Sequence, residues 1–384
     1  MGPRLVPLWQ VDAFTDVPFA GNPTAVCLLT EPLSEELLQS IAAENNLAET
    51  AYIEPLQPGG SAVDISHFKE HDRFRLRFFT PSTEVPLCGH ATFASAATLF
   101  QELHNQHSTL HFHTPSGVLS VSQSSPQPAA GEEGAGGEHQ ARGMAMQMPL
   151  TPPTSALPAP FDNTPCQEGT EASGATAGAA VVVTAGGSGR QFTGKAAQLL
   201  QACVGGAAIH EVLYAGDTMK YLMICLPPGT SQQQLEAIQP DFAAMLSYAS
   251  GEHIRCVILT CRAAHSGGVA SLLLLSAGAD SGYDYLLRFL APWLGVDEDH
   301  ATGSANCVLG PYWAQQLGQL GVGAGEAPGC AAAAPLTMRA RQCSKRVGLL
   351  TVQIREQGQG QGQAAGCVVL GGQAVVVLSG HMRV

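Results

Sequence analysis

Three short stretches of this chain carry side chains able to move a proton. In residues 87–92 (LCGHAT), Cys88 and His90 flank Gly89 just ahead of a run of small and apolar residues. If that run is a helix, its first N–H groups are unsatisfied and suit an anion such as a carboxylate. His90 is then placed to donate to the anion or to handle a proton. The same terminus favours a Cys88 thiolate. In residues 297–305 (DEDHATGSA), Asp299 leads through a Thr302-Gly303-Ser304 turn into a second small-residue, apolar run. Gly89 and Gly303 allow a ligand to come close to the backbone. In residues 44–50 (ENNLAET), Glu49 stands between a predicted helix and a predicted strand. A partly buried carboxylate there is a candidate general base.

Each stretch also has a plain structural reading. His90 serves as a helix cap and Cys88 as packing, Thr302 or Ser304 as an N-cap, and Glu49 as a solvated turn residue. The symmetry of the pattern argues for more. Two apolar helices, one in each half, each open at a small-residue mouth with an ionisable group, His90 in one and Asp299 in the other. Facing N-termini of this kind would hold a carboxylate while an acid and a base move a proton beside it. That chemistry calls for no metal and no cofactor. Zinc-type spacing is absent, since His111 and His113 alternate on one predicted strand with no third ligand in the pattern. There is no GxSxG nucleophile elbow.

Many short strands must position these groups. Strands are expected over 8–14, 24–29, 50–54, 74–79, and on both sides of Gly117 in 110–122. A helix N-capped by Ser34 runs to about Asn45, and the 90–103 helix is apolar all round, hence buried on every side. In the second half, strands are expected over 143–148, 211–215, 221–226, 256–261, 270–276 and 284–289. A short helix covers 232–238. A second apolar helix opens at 303–309, where Pro311 should kink or break it. Strands over 337–341, 349–354 and 368–378 close the chain. The expected class is α+β, with two pseudo-symmetric β-barrel domains, each wrapped on a central apolar helix. The first domain spans 1–121, with a tail over 366–384 packing back on it. The second spans 142–365. A linker over 122–141 and loop insertions over 154–191, 319–334 and 356–365 are rich in Gly, Pro, Ala and Gln, although 180–184 (AVVVT) has strand character. A Rossmann reading fails for want of GxGxxG, and a TIM barrel for want of helices.

Composition narrows the partners. The 384 residues carry a net charge of −13 with no Lys/Arg-rich run, which argues against nucleic acid. No stretch has 18 consecutive apolar residues, so no membrane span is expected. The N-terminus shows neither a signal peptide nor a myristoylation pattern. The 11 cysteines are scattered without a CxxC pair. They read as reduced, buried thiols of a cytoplasmic protein.

At these same residues the chain resembles the PhzF-like family of isomerases, named for phenazine biosynthesis. The segments VDAFTDVPFAGNPTAVCLL (11–29), ENNLAET (44–50), FFTPSTEVPLCGHATFAS (78–95) and RFLAPWLGVDEDHATGSANCVLGPYWA (288–314) match its blocks in order. QCSKRVG (342–348) resembles a late QxSxRGG block. The resemblance implies the diaminopimelate-epimerase-like fold and a homodimer. It implies that Glu49 is the acid/base, that His90, Asp299 and Ser304 line the cleft, and that Gly89 and Gly303 offer backbone N–H groups. Two positions depart from the pattern: His300 replaces a Pro, and Val347 replaces the first Gly of RGG. Cys88 sits where the epimerases carry their first catalytic cysteine, but their second position holds Asp299, so a two-thiol racemase is not expected. The expected activity is a cofactor-free proton shift on a small carboxylate substrate. A racemase or epimerase using Cys88, or a non-catalytic binding or regulatory protein, are the alternatives.

Overall fold

The computed structural model describes residues 4–56, 63–123, 143–158, 161, 181–183, 190–216, 218–248, 251–263, 282–318, 337–355 and 366–384. The first elements are β1 (Leu5–Ala13), β2 (Asn22–Leu28), α1 (Glu35–Asn45), β3 (Glu49–Pro55), α2 (His67–Glu70), β4 (Arg73–Phe79) and β5 (Glu84–Val85). Then come α3 (Gly89–Ala97), β6 (Thr109–Thr114), β7 (Gly117–Gln123), β8 (Met144–Pro149), β9 (Val181–Val183), β10 (Arg190–Phe192) and α4 (Gly194–Val204). They are followed by β11 (Glu211–Ala215), β12 (Tyr221–Cys225), α5 (Gln232–Ala237), α6 (Phe242–Tyr248), β13 (Cys256–Arg262), β14 (Tyr285–Ala291) and β15 (Val296–Asp299). The last are α7 (Ala305–Gln316), β16 (Thr337–Gln342), β17 (Gly348–Arg355), β18 (Cys367–Gly372) and β19 (Ala374–Arg383). The result is an α+β protein of mixed sheet with few helices.

The chain divides into two compact units. The first comprises Met1–Pro149, Ala301–Asn306 and Arg346–Val384. In it β19 pairs with β1, β1 with β2, and β2 runs parallel to β3. The ladder continues through β4, β6, β7, β8, β18 and β17. All nine residues of α3 are buried, and the helix touches β1, β2, β3, β7, β8 and β19. A helix with no polar face is stable there because its polar side chains bond to its own backbone. Thr92, Ser95 and Thr98 donate to the carbonyls of Cys88, Ala91 and Ala94 at 2.7, 2.7 and 3.1 Å. Phe93 stacks on Phe14 at 4.6 Å between ring centroids.

The second unit comprises Leu150–His300 and Cys307–Lys345. Here β11, β12, β13 and β14 pair in order, with β15 and β16 both on β14. Its core gathers Leu199 and Leu200 of α4, Leu235 of α5, Met245 of α6, and Val257, Leu259, Leu286 and Leu290 of the sheet.

Several expectations change. Residues 144–149 pair with β7 and β18 and fall in the first unit, as do 301–306 and 346–355, all expected in the second. Backbone pairing decides this, and a linear domain boundary cannot express it. Within 154–191, Val181–Val183 pairs with β10 and so is sheet. The helices α4 and α6 were not anticipated; their apolar faces show only against the core they cover. Pro311 does not end its helix: α7 runs through it to Gln316. The Cys307 carbonyl, which loses its helical donor to Pro311, instead accepts from the Thr151 N–H at 3.0 Å. The expected strand 270–276, residues 124–141 of the linker and the loops 319–334 and 356–365 lie outside the described residues. Among the described residues no helix is long and apolar enough to cross a membrane.

Candidate active site

Glu49 is the first residue of β3. The chain reaches it by ending α1 at Asn46 in the left-handed conformation, φ 48°. Asn tolerates that conformation, which turns the chain sharply. The Asn45 amide then donates to the Thr50 hydroxyl at 3.1 Å, fixing the join. Parallel pairing with β2 sets Glu49 opposite Thr24.

Cys88 is the N-cap of α3 and His90 its second residue. The Cys88 Sγ lies 3.4 Å from His90 Nδ1. The Glu49 Oε2 lies 2.8 Å from His90 Nε2, with 17% of the Glu49 side chain and 7% of the His90 side chain exposed. The contact is a short ion pair whose N–H is poorly directed, so that buried carboxylate oxygen has no well-aligned hydrogen bond. Three groups thus converge in the first unit, one from a strand start and two from a helix start. Burial by itself favours the neutral His90 ring. Negative charge at Cys88 and Glu49 outweighs burial and holds the His90 pKa well above its ordinary value. Burial pushes the Cys88 thiol up, and the Glu49 carboxylate adds to the rise, against the pull of His90. The His90 ring is thus held toward its protonated form by its two neighbours, and Cys88 toward its thiol form by burial and by Glu49.

The two glycines also meet. A Cβ on Gly89 would lie 3.8 Å from the Gly303 Cα, and one on Gly303 would press on Leu370 at 3.3 Å. Gly303 accepts from the Asn306 N–H at 3.0 Å as α7 begins, while the Asn306 amide donates to the Thr302 carbonyl at 3.1 Å. Ser304 is half-buried in the same turn.

Asp299 belongs to the second unit, as the last residue of β15. Its Oδ1 accepts from the His300 N–H at 2.9 Å. Residues that chain spacing did not single out support it. Gln342, fully buried, donates to the Asp299 carbonyl at 2.7 Å, and Ser344 to the His300 carbonyl at 2.7 Å. The Gln-Cys-Ser block thus works by holding the end of β15. Arg288 grips Glu298 with two bonds of 2.8 Å and donates to the Leu235 and Ile238 carbonyls. A lone Arg in the apolar strand YLLRFLA was the available signal for this buried pair. Val347, which stands where the pattern has Gly, lies in the left-handed region at φ 54°.

A family model described as a phenazine biosynthesis-like protein matches residues 11–160 and 192–380. A mouse protein, phenazine biosynthesis-like domain-containing protein 1, is 32% identical, covering 98% of this chain and 99% of its own length. A protein of Pseudomonas aeruginosa described as an uncharacterized isomerase is 30% identical over 97% of each chain. Among solved structures, a PhzF-family protein of Enterococcus faecalis superposes with a TM-score of 0.63 at 25% identity, covering 99% of this chain and 100% of its own. A putative PhzC/PhzF protein of Clostridium difficile gives 0.62 at 23% identity and bears on the fold alone.

Proposed function

Because this chain belongs to the phenazine biosynthesis-like family, we propose that it is a cofactor-independent isomerase that moves a proton between carbons of a small carboxylate-bearing substrate. The observation that carries the reading is Glu49 Oε2, buried without a well-aligned hydrogen bond and 2.8 Å from His90 Nε2. A carboxylate in that state is poised to take a proton from a carbon acid. The C–H bond breaks, the proton passes to Glu49, and the electron pair moves into the substrate's adjacent unsaturated group. The protonated His90 ring and the N–H groups at Gly89 and Gly303 offset the developing negative charge. Glu49 then returns the proton to a second carbon. Asp299 and His90 orient the substrate in this proposal, and Ser304 and Cys88 contact it. We read each unit as a β-barrel closed on an apolar helix, α3 in the first and α7 in the second, and the active form as a homodimer.

The test is exchange at carbon. Glu49→Gln should abolish solvent-deuterium incorporation into a substrate that the unaltered protein labels. Retained exchange in that variant would overturn the assignment. Epimerisation through Cys88 is the second reading, favoured by its 3.4 Å approach to His90. Against it, burial makes the thiol a poor source of thiolate.

A further inference from the structure

The three side chains that meet at the start of α3 are also, by type, a metal-ligand set. Cys88 Sγ, His90 nitrogen and Glu49 oxygen all lie within 4.8 Å of one another, and both Cys88 and His90 are buried. Among the described residues this is the one cluster of at least three such donors. Sequence spacing alone gave no reason to expect it, because the carboxylate comes from a strand and the other two donors from a helix start. Bond lengths of about 2.3 Å to sulfur and about 2.0–2.2 Å to nitrogen and oxygen, at tetrahedral angles, place donor atoms roughly 3.3–3.6 Å apart. The observed Sγ to Nε2 distance is 3.8 Å and the Nε2 to Oε2 distance 2.8 Å. Closing on a metal requires the first to shrink by roughly 0.2–0.5 Å and the second to open by roughly 0.5–0.8 Å. The oxygen that would ligate is Glu49 Oε2, and the metal would replace its 2.8 Å ion pair with the His90 ring.

We propose that Glu49, Cys88 and His90 form a three-ligand site for a borderline divalent cation, zinc foremost, whose binding silences the protein. Silencing rests on the catalytic reading above; binding does not. A mixed sulfur, nitrogen and oxygen set favours zinc over magnesium or calcium, which prefer all-oxygen shells. On binding, the thiol releases its proton to solvent, as does the His90 ring, and the metal takes both lone pairs. The base, its charged neighbour and the thiol are then all engaged, which leaves Glu49 unable to accept a proton from carbon. The cation is an inhibitor here, with no part in turnover.

Cobalt(II) is the probe, since its thiolate complex absorbs in the near ultraviolet. Chelator-washed full-length protein should bind one cobalt with that band, and zinc should displace it stoichiometrically. Cys88→Ala should lose the band, and Glu49→Gln should weaken cobalt binding at least tenfold. As a check against misfolding, zinc should raise Tm in the unaltered protein and not in Cys88→Ser. Absence of a band, or one that persists in Cys88→Ala, overturns the site. The two readings fail differently. A band in a protein that never exchanges deuterium sinks the catalytic reading, and silencing with it, and leaves the metal site standing. Exchange without a band sinks the metal site alone.

Discussion

At the scale of single residues, the chemistry turns on which of three neighbours holds a charge. Glu49 at 2.8 Å is a principal support for the protonated His90 ring. Its effect on stability has a definite sign. A histidine whose folded pKa is raised contributes fully below the free value of about 6.5, and the contribution is lost as pH rises through the raised folded pKa. The His90 ring protons, followed by NMR, should titrate above the ordinary range, and in Glu49→Gln the midpoint should move down. An unmoved midpoint would mean that the carboxylate does not set the charge. Substitution of His90 by Gln should lower turnover by about 100-fold to 10,000-fold, the usual worth of a positioned proton-handling group. Cys88→Ala should retain turnover within about tenfold, and kinetics on both variants distinguishes the isomerase from the thiol-based epimerase.

At the scale of elements, the turn joining β1 to β2 shows how the first unit is held. Asp12 is fully buried and accepts from the Phe19 N–H and from Arg346 Nη2, both at 2.7 Å. Arg346 also donates to the Gly21 carbonyl at 3.0 Å and the Ala20 carbonyl at 3.0 Å. Burial pushes the Asp12 carboxyl up, with Phe19 and Arg346 opposing it. Arg346→Met strands a buried carboxylate and should cost about 3 kcal/mol in denaturant unfolding. The neighbouring Val347 is a β-branched residue at φ 54°, a conformation that costs an L-residue roughly 1–2 kcal/mol. Val347→Gly removes that strain but adds freedom to the unfolded chain, which offsets about half of the gain. A net increase of about 0.5–1 kcal/mol is expected, and a loss of stability would show that the valine side chain contributes packing larger than its strain.

At the scale of the whole molecule, eight of the nine described cysteines are buried and all nine are free thiols. Burial raises the thiol of Cys27 to about 12, and those of Cys307 and Cys343 also to about 12. Cys203, Cys225 and Cys256 are pushed up as well, by the same burial. The unfolded chain releases these protons near pH 8.5, while the folded chain keeps them. Stability is therefore complete below about pH 8.5 and falls as pH rises toward 12, by about 1.4 kcal/mol per pH unit for each such thiol. Tm measured across pH 7 to 11 should drop steeply above pH 8.5, and a flat profile would contradict the burial of these side chains.

The sequence alone determined the local pieces. The Ser34 N-cap, the strand pair about Gly117 and the all-apolar α3 are each set by side chains close in the chain, and so they were legible there. The types of the site residues were legible for the same reason: CGH, ENNLAET and DEDHATGSA each present their groups within a few positions. Only tertiary structure decided what these groups touch. Glu49 meets His90 because parallel pairing of β2 with β3 sets the start of β3 beside the start of α3, and no spacing rule encodes that approach. Whether Pro311 broke its helix depended on a distant Thr151 N–H able to satisfy Cys307. That Gln342 and Arg288 serve β15 rests on partners brought in by β16, by α5 and by the β14–β15 hairpin. Local propensity acts within a few residues, whereas charge, burial and hydrogen-bond satisfaction act through space, and the site is built from the second set of forces.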